Sequence, residues 1–156
     1  MLSIAVGTRR VGYVFIGDGQ LCDWGITVKS AKTKSDIAVF VQGLISELQP
    51  DVVVSEKCDR ACRKGNRTRA LIGTIAEIAS HNTVLDVSVA RPRRYKSKFE
   101  EAAFLAKKYP EIEGYMPERK RRFYEFEPRS MMLFEALALA EDAMQGPPTR
   151  LAAAMG

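Results

Sequence analysis

Three stretches of the chain concentrate cations. Lys57, Arg60, Arg63, Lys64, Arg67 and Arg69 form the first. Arg91, Arg93, Arg94, Lys96 and Lys98 form the second, and Arg119, Lys120, Arg121 and Arg122 the third, which runs directly into Phe123 and Tyr124. Together they hold 15 of the 24 Lys and Arg residues, so the net charge of +5 understates how unevenly the charge is laid out. Clustered cations beside aromatic rings suit a nucleic acid, because the cations meet phosphates and the rings stack on bases. One such run is ordinarily a solvated surface. Three runs at loop or helix-start positions favour nucleic-acid binding. The expected contacts are Arg60, Arg63, Lys64, Arg67, Arg69, Arg93, Arg94, Lys96, Arg121 and Arg122.

Cys22, Cys58 and Cys62 are an odd set in a chain with one histidine, His81. A zinc site needs four ligands, usually from paired short-spaced motifs, and that pattern is missing. Free, inert thiols are the better expectation. The 156 residues suit one domain, and 46% hydrophobic content is enough for a core. No apolar run approaches the roughly 20 residues of a membrane-spanning helix. The opening Met1–Val6 is too short for a signal peptide, so a cytoplasmic location is expected.

The elements that must position this chemistry follow from periodicity. Leu2 to Val6, Val11 to Ile16 and Leu21 to Val28 read as a three-stranded antiparallel meander, with a turn at Gly17-Asp18-Gly19. Trp24 and Ile26 share a face of the third strand. A helix capped by Ser35 or Asp36 carries Ile37, Phe40, Val41, Leu44, Ile45 and Leu48 at helical spacing and stops at Pro50. Asp51 to Glu56 is a β-branched strand suited to burial on both faces in a parallel pairing. A helix over 70–79, a buried strand over 83–89, a helix over 97–109 and a last helix over 129–144 follow. Residues 110–128 read as an irregular basic and aromatic insert. The order β-β-β-α-β-α-β-α-α predicts an α/β fold: a mixed five-stranded sheet with helices on both faces. One domain over 1–145 and a flexible tail over 146–156 are expected.

Ile4-Ala5-Val6-Gly7-Thr8-Arg9-Arg10-Val11-Gly12-Tyr13, the strand end Val52-Val53-Val54-Ser55-Glu56, and Phe134-Glu135-Ala136-Leu137-Ala138-Leu139-Ala140 occur in an order and spacing that resemble the RuvC-like and YqgF-like Holliday junction resolvases. These belong to the ribonuclease H-like superfamily. The resemblance runs to about Met144. It implies a ribonuclease H-like fold and phosphodiester hydrolysis by two Mg²⁺ or Mn²⁺ ions, which several carboxylates hold about 4 Å apart. Glu56 and Glu135 take the places of metal ligands and catalytic carboxylates, Glu135 standing where the family usually has aspartate. The first-strand aspartate position holds Ala5, whose methyl group cannot ligate a metal, and an acid found in some relatives is Met132 here. Thr8 and Arg9 lie on the turn beside the expected site, where they either contact phosphate or simply close the hairpin. Gly7 and Gly12 are expected to permit that turn.

The implied protein is a branched-DNA-binding homodimer whose metal-dependent cleavage is lost or weakened by Ala5. A purely binding pseudonuclease is the other reading. For Glu56, the plainer role is pairing with Lys57 or Arg60. For Glu141 and Asp142, it is solvated charge near a helix end, and for Met131 and Met132 core packing. An actin-like ATPase also carries a phosphate loop after its first strand, but this chain is too short for a two-lobed clamp.

Overall fold

The computed structural model describes residues 1–58, 62–90, 95, 97–117 and 128–145. Five strands form one sheet: β1 (Leu2–Val6), β2 (Val11–Gly17), β3 (Gln20–Thr27), β4 (Val52–Glu56) and β5 (Leu85–Val89), in the order β3-β2-β1-β4-β5. β1, β2 and β3 pair antiparallel, whereas β4 pairs parallel with both β1 and β5. This is the expected mixed sheet, with the expected element order.

The two-residue strand period divides the core into two layers. Leu2, Ile4, Val6 and Val53 pack against α1 (Lys34–Leu48) and α2 (Asn66–Ser80). Ala5, Val14, Ile16, Val52 and Val54 pack on the other face, against α3 (Lys98–Lys108) and α4 (Met131–Gln145). α4 is buried along most of its length, which explains its run of Met, Leu and Ala. Met131 and Met132 are core residues as expected.

Several boundaries differ from the sequence reading. The α1 cap is Thr33, whose hydroxyl accepts from the Asp36 amide at 3.1 Å, so Ser35 and Asp36 lie within the first turn. α2 begins four residues earlier than the apolar stripe suggests, because its first turn, Asn-Arg-Thr-Arg, is polar. β5 is not a buried strand. It lies at the sheet edge, where Leu85, Val87 and Val89 face α4 while Asp86 and Ser88 are exposed. Its strict alternation, Leu-Asp-Val-Ser-Val, carries that signal. A 3-10 segment, Pro110–Tyr115, orders the start of the supposed irregular insert and buries Ile112.

Gly7 and Gly12 serve a different purpose from the one expected. Neither is among the residues with positive φ. They instead admit α4: a Cβ on Gly12 would sit 2.6 Å from the Met132 carbonyl oxygen, and one on Gly7 2.8 Å from the Met132 sulfur. The Ser3 hydroxyl then donates to the Ala136 carbonyl at 2.6 Å, fixing α4 against β1. Close backbone approach and this single bond set the register that places Glu135.

Candidate functional site

β1 and β4 are parallel neighbours, so their carboxyl ends open at the same edge of the sheet. Alternation along β4 sends Val52, Val54 and Glu56 toward α4, and alternation along β1 sends Ser3 and Ala5 the same way. Glu135 meets them from the second turn of α4 and is 6% exposed. Ala5 is fully buried. The structure thus brings Ala5, Glu56 and Glu135 to one place from positions up to 130 residues apart.

A fourth residue completes the group. Lys64 reaches in from the segment before α2. Its Nζ donates to Glu135 Oε1 at 2.6 Å and to the Val6 carbonyl at 2.6 Å, and lies 3.0 Å from Glu56 Oε2. The Glu56 contact is ionic and lies outside hydrogen-bond alignment. An ammonium carries three donors, and three oxygens surround this one. Burial by itself would lower the Lys64 pKa; the charges of Glu135 and Glu56, with the hydrogen bond to Glu135, outweigh it, and the net shift is upward. Lys98 approaches the other Glu135 oxygen at 4.0 Å.

Arg69 secures the segment that delivers Lys64. Its Nε donates to the Lys64 carbonyl at 2.9 Å, and its Nη2 donates to the Cys62 carbonyl. Arg67 donates to the Lys32 carbonyl at 2.7 Å, tying the start of α2 to the entry of α1. Of the expected nucleic-acid contacts, then, Lys64, Arg67 and Arg69 have protein partners, and Arg9, Arg63 and Arg67 are exposed. Arg60, Arg93, Arg94, Lys96, Arg121 and Arg122 lie outside the described residues, as does the 146–156 tail.

The plainer pairing of Glu56 with Lys57 is replaced by pairing with Lys64. Lys57 follows Glu56 directly along the chain and is exposed. Glu141 is likewise no solvated charge. It is 5% exposed, accepts from the Tyr109 hydroxyl, and binds Lys108 at 2.8 Å and Gln145 at 2.9 Å. It joins α3 to α4 away from the site.

Glu56, Cys58 and Cys62 also place one ligand atom each within 4.8 Å of one another. Three such donors fall short of the four of a structural zinc site, and the thiols suit a softer ion than Mg²⁺. Burial, then the hydrogen bond with Cys62 and the charges of Cys62 and Glu56, push the Cys58 thiol up to about 12 against the pull of Lys64. At neutral pH it is a protonated thiol, and all three cysteines are free.

The described residues gathered here do not suit a pair of Mg²⁺ or Mn²⁺ ions. Such a pair requires several carboxylates with uncommitted oxygens. Here Ala5 supplies none, and Glu56 and Glu135 share an ammonium.

No protein-family model matches the chain, and no curated protein matches it. Solved structures do share its fold. Thermus thermophilus RuvC superposes with a TM-score of 0.62 over 92% of this chain and 93% of that one, at 16% identity. T. thermophilus RuvC in complex with Holliday junction substrate gives 0.57 over 92% and 90%, at 14% identity. The fowlpox virus Holliday junction resolvase gives 0.57 over 94% and 98%, at 14% identity. At these identities the similarity is one of fold: the five-stranded mixed sheet and its two helical layers are shared with these resolvase structures.

Proposed function

We propose that this protein binds branched DNA through a resolvase-type fold without cutting it. The observation that carries the reading is the constellation at the carboxyl ends of β1 and β4. Glu56 and Glu135 converge there, as in a carboxylate-based nuclease centre, while the third side chain is the buried methyl of Ala5. The fold supports a DNA ligand, since two resolvases of this architecture have been solved with Holliday junction DNA. Basic residues near the site, including exposed Arg9 and Arg63, give phosphates a place to bind. A four-way junction has two-fold symmetry, so a homodimer is the natural assembly for holding it.

The test is an anisotropy titration with a four-way junction and with linear duplex of the same sequence. The junction should bind more tightly, with log affinity falling linearly as log salt rises. No binding to either DNA at low salt would overturn the proposal. A residual Mg²⁺- or Mn²⁺-dependent nuclease is the second reading, favoured by the convergence of two carboxylates. Cleavage of the junction that disappears in Glu135→Gln would establish it instead.

A further inference from the structure

We propose that the Lys64 ammonium is the resident cation of this site and excludes divalent ions from it. Glu56, Glu135 and the Val6 carbonyl all direct oxygen atoms at Nζ, at 3.0, 2.6 and 2.6 Å. A hard divalent cation would seek these same oxygens. It would have to expel a group that is tied to the chain, hydrogen-bonded to two of them and ion-paired with the third.

Charge balance points the same way. The two carboxylates face two ammonium groups, Lys64 and the more distant Lys98. With both carboxylates compensated, little field remains to attract a divalent ion. Metal sites of this kind depend on uncompensated acidic charge.

The delivery of Lys64 is built into the fold. Arg69, on the first turn of α2, donates to the carbonyls of both Lys64 and Cys62. The chain is thereby held at two points around the residue. Lys64 itself is only 19% exposed at its side chain, so it does not behave as a surface lysine in brief contact with an acid. Arg69 is a positioning residue in this arrangement.

The inference is independent of the DNA-binding proposal, because its experiment contains no nucleic acid. Mn²⁺ is titrated into the wild-type protein, Glu135→Gln and Lys64→Met, with free Mn²⁺ followed by electron paramagnetic resonance and thermal unfolding recorded in parallel. Wild type and Glu135→Gln should bind Mn²⁺ equally weakly. Lys64→Met should gain at least about tenfold in affinity, the scale on which groups touching metal ligands act. Mn²⁺ should raise its melting temperature but not that of wild type. The double variant Lys64→Met/Glu135→Gln should lose the gain. A Mn²⁺ site in wild type that Glu135→Gln removes would overturn the proposal, as would a folded Lys64→Met with wild-type Mn²⁺ affinity. If Lys64→Met does not fold, the comparison of wild type with Glu135→Gln decides alone.

Discussion

At the scale of single residues, the glycines separate two kinds of crowding. The Cβ of Gly12→Ala would meet the backbone of Met132, which cannot move without shifting α4. The Cβ of Gly7→Ala would meet the end of a flexible thioether. Urea unfolding should show a loss of about 1–3 kcal/mol for Gly12→Ala and a smaller loss for Gly7→Ala. Equal losses would show that α4 approach is not what the glycines provide. Lys64→Met strands two carboxylates, and the same measurement should register a loss of about 3–5 kcal/mol. Ala5→Asp alone should leave junction cleavage undetectable with Mg²⁺ or Mn²⁺, because Lys64 still holds the other two acids. Glu56 and Glu135 were singled out in the sequence through the resemblance of their strand-end and last-helix motifs to those of the resolvases. Lys64 was legible only as one cation in a run, since the two oxygens it hydrogen-bonds lie 58 and 71 residues away. Nothing local distinguishes it from Arg63 beside it.

Elements are joined by polar contacts that periodicity does not reveal. Tyr109 ends α3, and its hydroxyl donates to Glu141 of α4. Burial, then the hydrogen bond and charge of Glu141, raise the Tyr109 pKa above its ordinary 10.0. The native state therefore holds this proton more tightly than the unfolded chain does. The resulting stability is complete below pH 10.0 and is lost as pH rises through the raised value. Tyr13, bonded to Asp23 and pushed up to about 12, adds to the loss between 10.0 and that value. Tyr109→Phe should lower stability at neutral pH by about 1.5–3 kcal/mol and make the alkaline decline shallower, as read from unfolding curves across pH. An unchanged alkaline slope would assign the decline elsewhere. Thr33→Ala should cost about 1 kcal/mol by removing the α1 cap. Among the described residues, α1, α3 and α4 were readable from their apolar content almost to their ends. The first turn of α2 was not, because a turn made of Asn, Arg and Thr leaves no hydrophobic signature.

For the whole molecule, the topology is the most legible feature. Antiparallel meander, then alternating helices and strands, reads as one mixed sheet, and the structure adds the strand order β3-β2-β1-β4-β5. No helix among the described residues is long and apolar enough to cross a membrane. The prediction at this scale concerns the exposed arginines. Arg9→Ala and Arg63→Ala should weaken junction and duplex binding alike, and each should reduce the slope of log affinity against log salt by about 1. A loss confined to one DNA form would indicate recognition of shape by that arginine. Binding itself should survive a chelator unchanged. The reason lies in the covalent attachment of Lys64. A dissolved ion occupies a site according to its concentration, and dilution or dialysis removes it. A cation carried on the same chain has an effective concentration fixed by the fold. Its occupancy is set once, when the protein folds, and stays the same in every buffer in which the fold survives.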